Sequence, residues 1–128
     1  TSDSYSGGWV RGKRNGATGC VAIEYGRSHY TGGYLDDAKH GRGVLKFNDG
    51  TVYDGEFARG TYHGQGSLTM RDGVTKYVGS FVDGRVHGAA EATLANGNVY
   101  KGAFDSGAMT GDGEMRYTNG DKYVGAVV

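Results

Sequence analysis

The sequence predicts an all-β protein, a series of β-hairpins laid side by side. Three observations predict it. Tyr5, Tyr30, Tyr53, Tyr77, Tyr100 and Tyr123 recur 25, 23, 24, 23 and 23 residues apart, each with a glycine two positions on. Self-similarity at such a period marks a repeat whose units bury their apolar faces against their neighbours. Within a unit, large apolar and small polar residues alternate with a period of two, as in Tyr53-Asp-Gly-Glu-Phe57 and Gly66-Ser-Leu-Thr-Met70, and that is the side-chain period of a strand. Asp49-Gly50, Asp72-Gly73, Asn96-Gly97 and Asn119-Gly120 then punctuate the units. Such pairs supply positive φ angles and are strong hairpin signals.

The units can be taken in order. Unit one opens with Tyr5-x-Gly7-x-Trp9 and turns at Gly12; an extra residue near Thr18 precedes an inward pair expected at Val21 and Ile23. Gly26-Arg-Ser-His29 stands where a tight turn is expected. Unit two runs Tyr30-x-Gly32-x-Tyr34, carries Asp37 where other units have a loop glycine, and points Leu45 and Phe47 inward. Unit three is the most regular, with Tyr53, Gly55, Phe57, Gly60, His63, Gly64, Gly66, Leu68 and Met70 in register. Unit four has Tyr77, Gly79 and Phe81, with Ala90 in place of a glycine and Ala92 and Leu94 inward. Unit five has Tyr100, Gly102 and Phe104, with Thr110 in place of histidine and Met115 and Tyr117 inward. A partial sixth begins at Tyr123, where Val127 takes the aromatic's place.

Glycine accounts for 26 of the 128 residues, against a usual share of about 7%. Its fixed offsets from the aromatics argue against a flexible linker. At an inward position a glycine lets a ring lie over bare backbone. Neither the Rossmann nor the P-loop spacing is present, so no phosphate cradle is predicted.

Charge excludes one function class. Fourteen basic and fourteen acidic residues cancel, whereas a nucleic-acid surface needs a basic excess. Cys20 is the only cysteine, which allows no intrachain disulfide and points to a reducing compartment. No apolar run approaches the roughly 20 residues of a spanning helix. The chain begins at Thr1 and is taken as an excerpt of a longer protein, with residues 1–128 forming one array.

The pattern Tyr-x-Gly-x-aromatic-x-x-Gly-x-x-His-Gly-x-Gly, followed by a strand and Asp-Gly, resembles the MORN repeat family over nearly the whole chain. The resemblance implies an elongated, single-layered, twisted antiparallel sheet with a longitudinal groove. Trp9, Tyr30, Tyr34, Tyr53, Phe57, Tyr77, Phe81, Tyr100 and Phe104 would line that groove as one stripe. Some of their area is expected to stay uncovered, because a single layer has nothing to pack over it.

No catalytic site, metal or cofactor is predicted. His40, His63 and His87 share one repeat position, but equivalent atoms in adjacent hairpins lie about 10 Å apart, whereas Zn²⁺ holds nitrogens at about 2.0–2.1 Å. Each is expected to bond its own turn. Cys20 is expected on an outward face with His29 across the following turn; no third group orients that pair for nucleophilic work. Resemblance to the family's parasite members allows zinc at a dimer contact, a weaker expectation. Gly111-Asp-Gly-Glu114 lacks the EF-hand spacing.

The expected role is therefore a non-enzymatic scaffold, a homodimer joined through its C-terminal repeats. It would hold protein partners of a cytoskeletal assembly in the cytoplasm, at a cytoskeletal or membrane-adjacent structure. Met115, Tyr117, Tyr123, Val124, Val127 and Val128 are the expected dimer surface, since an apolar edge strand recruits another strand. The alternatives are a peptide laid in the aromatic groove, or weak phosphoinositide contact through Arg11, Lys13 and Arg14, each worth about 1 kcal/mol near an anionic surface.

Overall fold

Two kinds of turn alternate along the chain and set the hairpins. At Arg11-Gly12, Asp36-Asp37, Arg59-Gly60, Asp83-Gly84 and Ser106-Gly107 both residues have positive φ, 48–53° at the first and 69–95° at the second. Positive φ at both central positions defines the type I′ turn, whose twist matches that of the flanking strands. The Asp-Gly and Asn-Gly pairs do something different from what the sequence suggests. Only their glycines have positive φ. Gly50 N–H donates to Phe47 O and Phe47 N–H to Thr51 O, so the loop is wider. Its Asp or Asn is there as an acceptor: Asp49 Oδ1 takes the Thr51 N–H at 2.8 Å, and Asn96 Oδ1 that of Asn98 at 3.0 Å.

Between these turns the computed structural model, which describes residues 3–24 and 27–126, has thirteen strands. They are β1 (Ser4–Ser6), β2 (Trp9–Val10), β3 (Lys13–Arg14), β4 (Gly16–Glu24), β5 (Ser28–Leu35), β6 (Ala38–Phe47) and β7 (Val52–Ala58), followed by β8 (Thr61–Thr69), β9 (Lys76–Val82), β10 (Arg85–Thr93), β11 (Val99–Asp105), β12 (Ala108–Arg116) and β13 (Lys122–Ala126). Eleven form one antiparallel sheet in the order β1-β4-β5-β6-β7-β8-β9-β10-β11-β12-β13, and β2 pairs with β3 at the first turn. The sheet is a run of consecutive hairpins and does not close into a barrel.

One row of small residues crosses ten strands of the sheet. Cys20, Gly32, Gly43, Gly55, Gly66, Gly79, Ala90, Gly102, Gly113 and Gly125 are successive cross-strand partners. A tyrosine ring lies over the glycine pair within the hairpins of units two, three and five. A Cβ on Gly66 would come within 2.3–2.7 Å of the Tyr53 ring and hydroxyl, and one on Gly43 within 2.5–2.7 Å of Tyr30. Each hydroxyl then reaches a backbone carbonyl three residues on: Tyr30 to Gly33 O at 2.8 Å, Tyr53 to Glu56 O at 2.7 Å, Tyr100 to Ala103 O at 3.1 Å. Those carbonyls sit where a β-bulge interrupts the ladder, so the phenol satisfies an acceptor that the bulge has released.

Unit one departs from its expected register. Cys20, not a glycine, holds the row position, and the inward pair is Cys20 and Ala22, 1% and 7% exposed, while Ile23 is 39% exposed. The extra residue at the Gly19 bulge shifts the strand by one, and with a period of two such a slip exchanges the faces. Cys20 therefore faces inward, not outward. His29 is paired with Ile23, away from the thiol.

Candidate functional site

The aromatic face falls into two groups of rings and is largely closed. Edge-to-face rings at 5.0–5.4 Å link Trp9 to Tyr5, Tyr5 to Tyr34, Tyr34 to Tyr30, Tyr30 to Phe57, Phe57 to Tyr53 and Tyr53 to Phe81. A second group joins Tyr77, Phe104 and Tyr100. The expected stripe thus has one gap, between Tyr77 and Phe81. It falls in the unit where Ala90 interrupts the glycine row, and Tyr77 makes no hydroxyl bond among the described residues. The area expected to stay uncovered is confined to Trp9, 58% exposed, and to partly buried Tyr77. Tyr30, Tyr34, Tyr53, Phe57, Phe81, Tyr100 and Phe104 are all 4% exposed or less. They fill the inner side of the sheet as its core instead of walling an open groove.

A single layer buries this much because a repeat position missed in the sequence roofs the rings. It is the residue just before the histidine position: Arg14, Lys39, Tyr62, Val86 and Met109. The Arg14 guanidinium lies 4.8 Å from the Tyr34 centroid, Lys39 Nζ lies 5.4 Å from that of Tyr30, and Tyr62 stacks on Tyr53 at 3.9 Å. Val86 is buried and Met109 packs on the core. The signal was its fixed place in the unit. Its chemistry runs from cation to aromatic to aliphatic along the array, which hides it from any search for a residue type.

The backbone of the same residue ties neighbouring units together. The second turn residue of each unit donates its N–H to the lid residue's carbonyl in the unit before. The bonds are Asp37 to Arg14 O, Gly60 to Lys39 O, Gly84 to Tyr62 O and Gly107 to Val86 O, at 2.8–3.0 Å. His87 also reaches across units, its Nδ1 accepting the Ser106 N–H at 3.1 Å, so it braces the next turn and not its own.

The basic cluster is split by this arrangement. Arg14 Nε and its backbone N–H both donate to Asp37 Oδ1, at 3.0 and 2.8 Å, and Nη2 donates to Asp37 O. The backbone N–H of Arg14, then its guanidinium, hold the Asp37 carboxyl below its usual range. Arg11 and Lys13 remain exposed. Among the described residues, no three His, Cys, Asp or Glu side chains are placed to share a metal ion.

Exposed apolar residues are scattered along the array, at Ile23, Leu35, Val74, Val78 and Val82 among others, and also lie at its two ends. Trp9 is 58% exposed at one; Tyr117, Tyr123 and Val124 are 41%, 44% and 67% exposed at the other. Met115 is packed against the core. Strand β13 pairs only with β12, which leaves its outer edge unpaired among the described residues. Val127 and Val128 lie outside the described residues.

A sheet of this kind, with its apolar side filled and its surfaces repeated unit by unit, defines a repeat-built binding or scaffold protein. The sequence model of the MORN repeat matches residues 5–17, 30–52, 53–75, 77–99 and 100–122. The chain belongs to the MORN repeat family. No helix among the described residues is long and apolar enough to cross a membrane.

Proposed function

We propose that the chain is a non-enzymatic scaffold that dimerises through its C-terminal hairpin and holds protein partners at a cytoskeletal or membrane-adjacent structure in the cytoplasm. One observation carries the reading. Tyr123 occupies the repeat position at which Tyr53 and Tyr100 are 0% exposed, yet it is 44% exposed. Tyr30 and Tyr53 are closed in by the aromatic of the following unit, Phe57 at 5.2 Å and Phe81 at 5.3 Å. At β13 that ring is not supplied among the described residues. A second β13 arriving on a two-fold axis would pair the open edge and cover Tyr117 and Val124. Light scattering at tens of micromolar is expected to return twice the 13.5 kDa of one chain. Val124→Lys should reduce it to the mass of one. A monomeric mass for the unaltered chain would defeat the reading.

A peptide in the aromatic groove is the weaker alternative, since the rings that would receive it are buried. Phosphoinositide contact keeps a narrower basis, the exposed pair Arg11 and Lys13. At about 1 kcal/mol per cation it would be weak, and flotation with phosphoinositide-containing vesicles should show retention that disappears in Arg11→Ala/Lys13→Ala.

A further inference from the structure

The type I′ turns form a row along one margin of the sheet, and the first residue of each is a tip pointing to solvent. In units one to four these tips are Arg11, Asp36, Arg59 and Asp83. All four are exposed, and none has an ion pair or hydrogen bond among the described residues. Their signs alternate: plus, minus, plus, minus. Read in the opposite direction, the row is minus, plus, minus, plus. Successive tips are two strands apart, about 10 Å, too far for direct pairing within one chain.

We propose that this margin is a second self-association surface, on which two copies of the chain lie antiparallel about a two-fold axis between units two and three. Asp36 then faces Arg59 of the second copy and Arg59 faces its Asp36, the isologous pairing that two-fold symmetry requires. Arg11 and Asp83 face each other further out. An aliphatic residue precedes every tip, namely Val10, Leu35, Ala58 and Val82; Val10, Leu35 and Val82 are 54%, 47% and 39% exposed. A shallow hollow of about 560 Å³ between the first two arms is lined by Val10, Ala17 and Leu35 among others, and it faces Val82 of the second copy. The central pair carries the contact. Strand twist turns the outer tips away from the axis, and exposed Arg85 on the arm after Asp83 dilutes the outer charge. A margin this narrow falls below the roughly 1,200 Å² of a stable interface, so the association is weak and screened by salt. It is independent of the contact at β13.

Charge exchange tests the proposal. The chain already places Arg at φ 51° and 53° and Asp at 48° and 49° in these turns, so swapping them asks no turn to hold a foreign residue. Sedimentation velocity of the full chain at several hundred micromolar should show a mass in about 20 mM salt at least double that in about 500 mM. Arg59→Asp sets acid against acid at the centre and should weaken the doubling at least about tenfold. Asp36→Arg/Arg59→Asp restores an antisymmetric row at unchanged net charge and should recover it to within about threefold. Val124→Lys, aimed at the other contact, should leave the doubling in place. The proposal is overturned if the parent chain shows no salt-sensitive doubling, if Arg59→Asp associates as tightly as the parent, or if the exchange variant stays as weak as the single one. Circular dichroism confirms that each variant is folded. Should Arg59→Asp alter only the chain's own urea midpoint, the alternation merely separates like charges within one molecule, and the proposal fails.

Discussion

Tyr53 and Tyr77 occupy the same repeat position, yet only Tyr53 lies over two glycines and reaches a carbonyl with its hydroxyl. The difference across the row is the methyl of Ala90. Placing such a methyl under Tyr53 should reproduce the effect more severely. Gly66→Ala sets a Cβ within 2.3 Å of the Tyr53 hydroxyl, so the ring must lift and release its bond to Glu56. The expected loss is about 2–4 kcal/mol by urea unfolding. Gly60→Ala meets nothing within 4 Å and should lose only the strain of its left-handed φ, about 1 kcal/mol. Burial, and then the nearby Glu56 carboxylate, push the Tyr53 phenol up from 10.0 to about 12. A raised acid contributes stability that is full below its ordinary value and disappears as pH rises through the folded one. The urea midpoint is therefore expected to fall between pH 10 and 12, and to fall less steeply in Tyr53→Phe. A slope unchanged by that substitution would mean that Tyr53 is not the group being ionised.

The hairpin is the element that the sequence described best, although it read the Asp-Gly and Asn-Gly pairs as tight turns. Asp-Gly and Asn-Gly were legible as turns. Their Asp or Asn side chains cap a wider loop, however, and the tight type I′ turns fall on pairs as varied as Arg-Gly and Asp-Asp. Asp37 shows how one substitution for glycine is accommodated. Aspartate tolerates left-handed backbone, and its carboxylate gains the backbone and side chain of Arg14. Asp37→Asn keeps the turn but removes the charge, and should lower the urea midpoint at pH 7. Because the Asp37 carboxyl is depressed in the fold, its contribution is present above the ordinary 3.8 and is lost as pH falls through the depressed value. The gap between parent and Asn variant should accordingly close well below pH 3.8. A gap that persists there would place the effect in the turn and not in the charge.

At the scale of the whole molecule, stability passes from unit to unit, as in any array held by nearest-neighbour contacts. The densest packing lies across β5–β8, where Tyr30, Tyr53 and Phe57 are sealed and Tyr62 stacks on Tyr53. The weakest joint is at the Tyr77–Phe81 gap. Amide hydrogen exchange should be slowest in β5–β8 and measurably faster in β11–β13, since sub-global opening starts where fewest buried contacts must be broken. Equal protection along the sheet would show that the gap has no energetic weight.

By itself the sequence determined the all-β class, the repeat period and the strand faces of units two to five, because a period of two and a recurring tyrosine are local properties written into consecutive residues. It also placed the departures at Asp37 and Ala90, though not their consequences. Tertiary structure alone decided the rest. The lid over the rings escaped notice because Arg14, Lys39, Tyr62, Val86 and Met109 share no chemistry, only a place in the fold. The register of unit one was lost to one inserted residue at a bulge, which exchanges faces without altering composition. The aromatic stripe became a core instead of a groove because burial depends on what lies above a ring, and in a single layer that is supplied by residues whose packing appears only once the strands are folded together.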